Sequence, residues 1–269
     1  IHENSEVLNN PIIITKNLNK LEISKNERMC KVEAGYPLPK FSKILSYENF
    51  RGFSGMLGIP GSIGGAIFMN AGSFENEISD NLISVDYIDK DLNLKTINKE
   101  ELNFKWRHSD FQSKINHLAI LSAKFRLIPG DEKKIKEHLL ISQKIRAETQ
   151  EKPGNNYGSV FATKWIYGES KCKSFDYKIM KKLIDVFFKI AMKLFNSQKL
   201  YYFFTKLNIK FNKKYFNIKN NNSIRISNRS LNCFLINNEK TKPSDYINFI
   251  LKFKKKFSPN CKVEIKIYE

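Results

Sequence analysis

Gly58-Ile59-Pro60-Gly61-Ser62-Ile63-Gly64-Gly65-Ala66, followed two residues later by Met69-Asn70-Ala71-Gly72, is the stretch that constrains the fold most. Its first nine residues hold four of the twelve glycines of the chain. Glycine loses more conformational freedom on folding than any other residue, so such a cluster indicates a sharp turn or a close approach to a ligand. Consecutive backbone N–H groups in such a turn can hold a phosphate or a carbonyl oxygen. The small residues would leave a shallow floor for a flat ring system, namely Gly64, Gly65, Ala66, Ala71 and Gly72.

Two interpretations of this stretch are open: a tight turn that packs a helix on a sheet, or a ligand-binding loop. It has neither the Gly-Lys-Ser/Thr of a mononucleotide loop nor the Gly-x-Gly-x-x-Gly spacing of a dinucleotide fingerprint. The whole ordered run resembles the flavin-binding signature of the UDP-N-acetylenolpyruvoylglucosamine reductase family, also called UDP-N-acetylmuramate dehydrogenases. The upstream Gly-x-Gly-Ser-Asn loop of that family is not found around Ser5, so we expect either a truncated N-terminus or a diverged loop.

Composition places the chain among ordinary globular proteins. Its 269 residues, 41% of them hydrophobic, suffice for one large or two modest domains. No run of about 18 apolar residues predicts a membrane span, and no signal peptide is apparent, so a cytoplasmic location is expected. The four scattered cysteines predict reduced thiols and no metal site, and they are Cys30, Cys172, Cys233 and Cys261.

Nearly all of the net positive charge lies in the second half of the chain. Residues 1–130 carry 16 Lys and Arg against 15 Asp and Glu, whereas residues 131–269 carry 30 against 12. A basic nucleic-acid-binding protein is therefore one alternative function. We expect no nucleic-acid partner, because no zinc-finger or RNA-recognition pattern accompanies the charge, and an anionic sugar nucleotide would suit the same surface.

Hydrophobic periodicity predicts both strands and helices, hence an α+β fold. Alternation predicts strands at 29–33, 82–88, 92–97, 118–127 and 261–267, with Asp89-Lys90-Asp91 as a hairpin turn and Ile12-Ile13-Ile14 as a short buried strand. Helical spacing predicts helices at 37–45, 132–148, 174–197 and 241–257, the third with a packing face and the last capped by Ser244 or Thr241.

A second motif is Trp106-Arg107-His108-Ser109, which resembles the Tyr-Arg-x-Ser motif of the same family, with Trp106 in the place of tyrosine. The resemblance implies that Arg107 lies beside the flavin and stabilises negative charge on its pyrimidine side. A guanidinium suits this role because it stays charged and offers several fixed donors. A surface arginine beside a strand is the alternative interpretation.

Two further residues follow from the resemblance. Gly158-Ser159-Val160-Phe161, with Arg146 to Gln150 before it, resembles a family segment in which Ser159 would be the proton donor. Glu264, in the terminal Glu-Ile-Lys, falls at the place of the family's catalytic glutamate. Without the resemblance, a plain turn at Ser159 and a solvent-facing Glu264 would be the better interpretations.

The resemblance implies a FAD-binding domain of the vanillyl-alcohol-oxidase/PCMH type at 1–148 and a smaller α+β substrate-binding domain at 149–269, with a divergent insertion at about 164–222. It implies a flavoprotein that reduces UDP-N-acetylglucosamine enolpyruvate to UDP-N-acetylmuramate with FAD and NADPH, with a UDP-sugar as partner. The implied cofactor-binding residues are Gly58, Ile59, Pro60, Gly61, Ser62, Ile63, Gly64, Gly65, Asn70, Ala71, Gly72, Arg107 and Ile120. The alternative is a divergent paralogue that binds FAD or a nucleotide sugar without this catalysis, or that acts on another surface-polysaccharide precursor.

Overall fold

A computed structural model describes residues 13–151, 154–161, 179, 182–183, 186–187, 190, 207, 223–227, 233–237, 241–257 and 263. The chain divides into two compact units. The first is Asn10–Arg146, and the second combines Ile1–Asn9 with Ala147–Glu269. The predicted domain boundary at residue 148 stays a prediction.

The first unit is built on an antiparallel five-stranded sheet. The strand order is β1-β2-β9-β5-β6. Its strands, in chain order, are β1 (Leu21–Ser24), β2 (Met29–Glu33), β5 (Leu82–Asp89), β6 (Leu94–Asn98) and β9 (His117–Arg126). Two short hairpins are formed by β3 (Gly72–Ser73) with β4 (Asn76–Glu77) and by β7 (Phe104–Lys105) with β8 (His108–Ser109). The helices are α1 (Leu38–Tyr47), α2 (Ile63–Met69) and α3 (Glu132–Thr149).

One face of the sheet carries the core. Val32 and Val85 on the sheet are fully buried, and so is Phe41 on α1. The Phe41 ring meets the Phe125 ring at 5.2 Å and the Phe53 ring at 5.4 Å between centroids. Apolar residues at helical spacing on α1 face this cluster, so the burial of α1 fixes the segment that leads into the glycine stretch.

The opposite face of the sheet is polar. Asp86 on β5 accepts hydrogen bonds from the hydroxyl groups of Ser122 (2.7 Å) and Thr96 (2.8 Å), and Lys31 lies 3.0 Å from the same carboxylate. Polar residues alternate with the buried apolar ones because successive strand residues point to opposite faces.

The second unit contains a smaller antiparallel sheet of order β10-β12-β11 and one described long helix. The elements are β10 (Asn156–Ser159), β11 (Ile224–Ile226), β12 (Cys233–Ile236) and α4 (Pro243–Phe257). An aromatic cluster joins sheet and helix: the Phe253 ring of α4 lies 4.9 Å from the Phe234 ring and 5.6 Å from the Phe161 ring.

Most of the predicted elements are confirmed. β2, β5, β6, β9, α1, α3 and α4 all form where periodicity predicted them, and the α+β class is as expected. Within the described residues, no helix is long and apolar enough to span a membrane, and no group of three or more His, Cys, Asp or Glu side chains could hold a metal.

Three local predictions are wrong. Ile13 and Ile14 are not in a strand and are exposed to 52% and 77%, so apolar character alone did not bury this segment. Thr241 does not cap α4, because its hydroxyl donates to the Ser223 carbonyl, and Ser244 lies inside the helix; the Asp245 carboxylate instead accepts from the Lys242 amide.

The predicted helix at 174–197 lies mostly outside the described residues. Its described residues are helical, but their apolar side chains are exposed to between 42% and 62%, so they do not form the predicted packing face. The insertion at 164–222 and the segment around Ser5 lie almost wholly outside the described residues as well.

Candidate functional site

The glycine stretch forms an exposed loop, Gly58–Ser62, that leads into α2. Ser62 caps α2 by accepting a hydrogen bond from the Gly65 amide at 3.4 Å. The amides of Ile63 and Gly64 donate to the Tyr36 and Ala34 carbonyls at 3.0 and 2.8 Å. The first amides of α2 are therefore used within the protein, which corrects the expectation of a run of free donors there.

The free donors lie earlier in the loop. No acceptor among the described residues contacts the amides of Gly58, Gly61 and Ser62. Gly61 has φ of +120°, a conformation that side chains rarely adopt, and nothing lies within 4 Å of the position of an added Cβ. The loop therefore has open space at Gly61, and its amides could donate to an anionic or carbonyl group.

The expected floor of small residues is only partly formed. Gly65 is exposed, and the nearest atom to an added Cβ is the Ser62 hydroxyl at 3.7 Å. Ala66 in α2, and Ala71 and Gly72 after the helix, are buried instead. Of this floor, only Gly65 remains exposed, and Gly64 is half-buried against Ala34.

Two isoleucines of the predicted cofactor set lie in the hydrophobic core, as does Ala71. The Ile63 side chain is fully buried, and Ile120 on β9 is 7% exposed. Both side chains belong to the core cluster of the first unit. Ile59 and Pro60 lie in the loop itself, the first half-buried and the second exposed.

Asn70 ends α2 with an unusual arrangement. It is fully buried in the left-handed conformation (φ +44°), and its amide nitrogen donates to Glu77 Oε2 at 2.8 Å and to the Lys105 carbonyl at 3.0 Å. Its Oδ1 has no hydrogen-bond donor among the described residues. A buried acceptor without a donor costs free energy, so this oxygen would favour a ligand N–H group or a water molecule.

Arg107 lies at the tip of the β7–β8 hairpin. Its backbone has φ of +54°, and its guanidinium lies over the Trp106 ring at 4.5 Å. Lys105 pairs with His108 across the hairpin, so Trp106 and Arg107 are the two turn residues. Trp106 is 41% exposed, so the stacked pair presents a flat, positively charged surface.

Arg146, at the end of α3, is a site residue that sequence reasoning did not identify. Its guanidinium donates to the Gly55 carbonyl at 3.0 Å and lies over the Phe74 ring at 5.1 Å. An added Cβ on Gly58 would meet Arg146 Cδ at 2.4 Å, so Gly58 is a glycine because this side chain packs against it. The only sequence signal was the place of Arg146 in the segment before Gly158.

The two arginines are electrostatically coupled. Burial, followed by the charge of Arg107, lowers the pKa of Arg146 from its usual value. The positive charge of Arg107 disfavours that of Arg146, and an anion bound near both would relieve the repulsion. The Gly58–Ser62 loop therefore adjoins an electropositive region.

Ser159 and Glu264 belong to the second unit. Ser159 is exposed at the end of β10, opposite Cys233 of β12, after a bulge in which Gly158 has φ of +71°. The predicted turn at Gly158-Ser159 is therefore an irregular strand end. Glu264 lies outside the described residues.

The residues of the first unit fit the FAD that the sequence resemblance implies. Open backbone amides and two guanidiniums are the donors that a pyrophosphate or a flavin pyrimidine edge needs, and the unsatisfied Asn70 Oδ1 is an acceptor suited to an N–H group. Gly61 and Gly65 leave open space where any larger residue would place a side chain.

Comparisons with known proteins agree with this description. Residues 4–97 match the family model described as FAD binding domain. The chain is 38% identical over 151 residues to the UDP-N-acetylenolpyruvoylglucosamine reductase of Prochlorococcus marinus subsp. pastoris, covering 55% of this chain and 50% of that protein. It is 41% identical over 131 residues to the reductase of the same name from Streptococcus mutans serotype c, covering 49% and 42%.

A solved structure extends the likeness of the fold. The UDP-N-acetylenolpyruvylglucosamine reductase of Thermus caldophilus superimposes with a TM-score of 0.60 at 20% identity, over 89% of this chain and 72% of that one. The chain spans about half the length of the curated relatives it matches. With its FAD binding domain and these relatives, the chain is similar to the UDP-N-acetylenolpyruvoylglucosamine reductases over about half of its own length.

Proposed function

We propose that this chain binds FAD at the Gly58–Ser62 loop and reduces UDP-N-acetylglucosamine enolpyruvate to UDP-N-acetylmuramate, a step of peptidoglycan precursor synthesis. The observation that carries the proposal is the open glycine loop beside the coupled guanidiniums of Arg107 and Arg146. The relatives that the chain matches are named for this reductase activity. NADPH as the electron donor and the cytoplasm as the location are parts of the proposal.

Bound FAD supplies hydride transfer from NADPH to the enolpyruvyl double bond. Arg107 contributes a permanent positive charge. This charge would stabilise the negative charge that develops on the pyrimidine side of the flavin during the reaction. Arg146 fixes the loop through its hydrogen bond to the Gly55 carbonyl and its contact with Gly58. Both arginines also attract the anionic groups of a UDP-sugar toward this unit.

Ser159 is proposed to protonate the substrate carbon next to the one that receives hydride. Its hydroxyl is exposed and therefore accessible to a substrate. A serine is a weak acid, but it can serve where a strongly basic carbon lies at hydrogen-bond distance. Glu264 is proposed to stabilise the enol form of the substrate.

The test is a comparison of the two half-reactions in the Ser159→Ala variant of the full chain loaded with FAD. General acids contribute about 100-fold to 10,000-fold, so substrate reduction should fall by at least about 100-fold. Bleaching of the flavin band by NADPH should keep its parental rate. Ser244→Ala, a half-buried serine in the same unit, is the matched control.

Two outcomes would contradict the proposal. Parental rates of substrate reduction in Ser159→Ala would remove the proton-donor role. Flavin binding and bleaching without turnover of the enolpyruvyl substrate by the parental chain would instead favour the non-catalytic paralogue.

A further inference from the structure

The backbone of Arg107 is held in an unfavourable conformation. A non-glycine residue at φ of +54° in the second position of a two-residue turn is uncommon, and such a backbone is strained. The conformation persists only where neighbouring groups hold it. The hydrogen bonds around the β7–β8 hairpin identify those groups.

The Gln112 side chain holds the turn to the end of α2. Its Nε2 donates to the Arg107 carbonyl at 3.1 Å and to the Phe68 carbonyl of α2 at 2.8 Å. The Ser109 hydroxyl donates to the same Phe68 carbonyl at 2.8 Å. One amide nitrogen thus joins the strained turn to the helix that directly follows the glycine loop.

We propose that Gln112 is a positioning residue that holds Arg107 at the correct place relative to the glycine loop. The inference rests on the proposed function, because it assigns Gln112 a role only through Arg107. Another hydrogen bond to the hairpin, from Asn70 Nδ2 to the Lys105 carbonyl, is made before the turn. Gln112 donates the hydrogen bond to Arg107 itself.

The chemistry of the position requires a neutral amide. Two carbonyl oxygens lie within hydrogen-bond distance of one nitrogen, which also lies 3.7 Å from the Met69 sulfur, and an NH₂ group offers one proton to each carbonyl. Glutamate would place a carboxylate against the Phe68 and Arg107 carbonyls, and leucine would leave both without this donor. Asparagine retains the NH₂ group but is one methylene shorter, so it cannot span both carbonyls equally well.

The experiment measures the midpoint potential of FAD bound to the full chain, together with the FAD dissociation constant. A positive charge beside the flavin stabilises its negatively charged reduced form, so loss of the charge in Arg107→Met should lower the potential. In Gln112→Leu, the preference of the protein for reduced over oxidised flavin should fall about tenfold. This change lowers the two-electron midpoint potential by about 30 mV. Gln112→Asn, the milder variant, should fall between Gln112→Leu and the parental chain.

The double variant Gln112→Leu/Arg107→Met separates positioning from general destabilisation. If Gln112 acts through Arg107, the double variant has the potential of Arg107→Met alone. Additive shifts, or an unchanged potential in both Gln112 variants, would overturn the inference. Gln143→Leu, on the exposed surface of α3, is the matched control and should leave the potential unchanged.

The outcomes distinguish the inference from the proposed function. A parental chain that binds no FAD, or an Arg107→Met variant with the parental potential, would contradict the proposed site itself. A lowered potential in Arg107→Met with independent behaviour of Gln112 would contradict only the positioning role.

Discussion

At the residue scale, Gly64 and Gly65 are neighbours in sequence with different reasons to be glycine. An added Cβ on Gly64 would lie 3.0 Å from Ala34 Cβ and 3.3 Å from the Ala34 carbonyl oxygen, so this glycine lets α2 approach β2 closely. An added Cβ on Gly65 would meet only the Ser62 hydroxyl, at 3.7 Å. Packing therefore explains Gly64, whereas no packing contact explains Gly65, and we propose that the bound cofactor does.

We predict that Gly65→Ala separates stability from cofactor binding. Alanine in a helix is better than glycine by about 0.5–1 kcal/mol, so thermal unfolding of the FAD-free variant should occur at a slightly higher temperature. Its FAD dissociation constant, measured by fluorescence titration, should nevertheless rise at least about tenfold, because the methyl group stands on the proposed floor.

Gly64→Ala is the control for this prediction. Its methyl group faces the protein interior, so it should lower the unfolding temperature. Parental FAD affinity in Gly65→Ala would show that the flavin does not lie on this part of the loop.

The sequence indicates the residue types of the site better than it indicates their conformations. The glycine stretch and Arg107 were recognisable from their motifs, whereas the positive φ of Arg107, Phe74 and Glu75 was not. Turn positions with positive φ are normally occupied by Gly or Asn, whereas these three positions hold Arg, Phe and Glu. Arg146 was missed because its role depends on contacts with Gly55 and Gly58, far away in the sequence.

At the element scale, the β5–β6 hairpin owes its turn to one buried carboxylate. Asp89 accepts hydrogen bonds from the Asp91 amide at 3.0 Å and the Asn93 amide at 2.9 Å, and Lys95 lies 2.7 Å from its other oxygen. The hydrogen bond from Lys95, followed by that from the Asn93 backbone, lowers the pKa of Asp89 to about 2. The stability of the turn therefore depends on pH.

We predict that Asp89→Asn loses stability in a pH-dependent way. Because the folded pKa of about 2 lies below the ordinary value, the ionised carboxylate stabilises the folded state above about pH 4, and this contribution is lost as the pH falls toward 2. The unfolding temperature of Asp89→Asn should thus be below that of the parental chain at pH 6, and the difference should shrink toward pH 2.

Asp91→Asn, which removes a neighbouring exposed carboxylate, is the matched control. It should leave the pH dependence nearly unchanged. A difference between Asp89→Asn and the parental chain that stays constant from pH 6 to pH 2 would contradict the assigned role of Asp89.

Periodicity predicted the long elements well because their burial follows from local pattern. β9 and α3 each place apolar residues at a regular spacing, and both form where expected. The segment at Ile13 and Ile14 shows the limit, because its three isoleucines have no alternating pattern that would define a buried face. The cap of α4 differed for a similar reason: Thr241 has a competing acceptor, the Ser223 carbonyl, which is distant in sequence.

At the scale of the whole molecule, we propose that the cofactor binds to the first unit and that the proton donor belongs to the second unit. Residues 1–130 are nearly neutral in sequence, whereas the excess of Lys and Arg lies in residues 131–269. That excess suits an anionic UDP-sugar substrate. The family likeness supports the assignment, and the arrangement of the Gly58–Ser62 loop supplies the physical reason for it.

The measurement that tests the central claim most directly is the visible absorption spectrum of the purified full chain after incubation with FAD and removal of the free cofactor, before and after NADPH is added. The account predicts about one bound FAD per chain, a yellow protein, and loss of the flavin band with NADPH. A chain that stays colourless after reconstitution would contradict it, because the open glycine loop and its two guanidiniums would then not bind the cofactor.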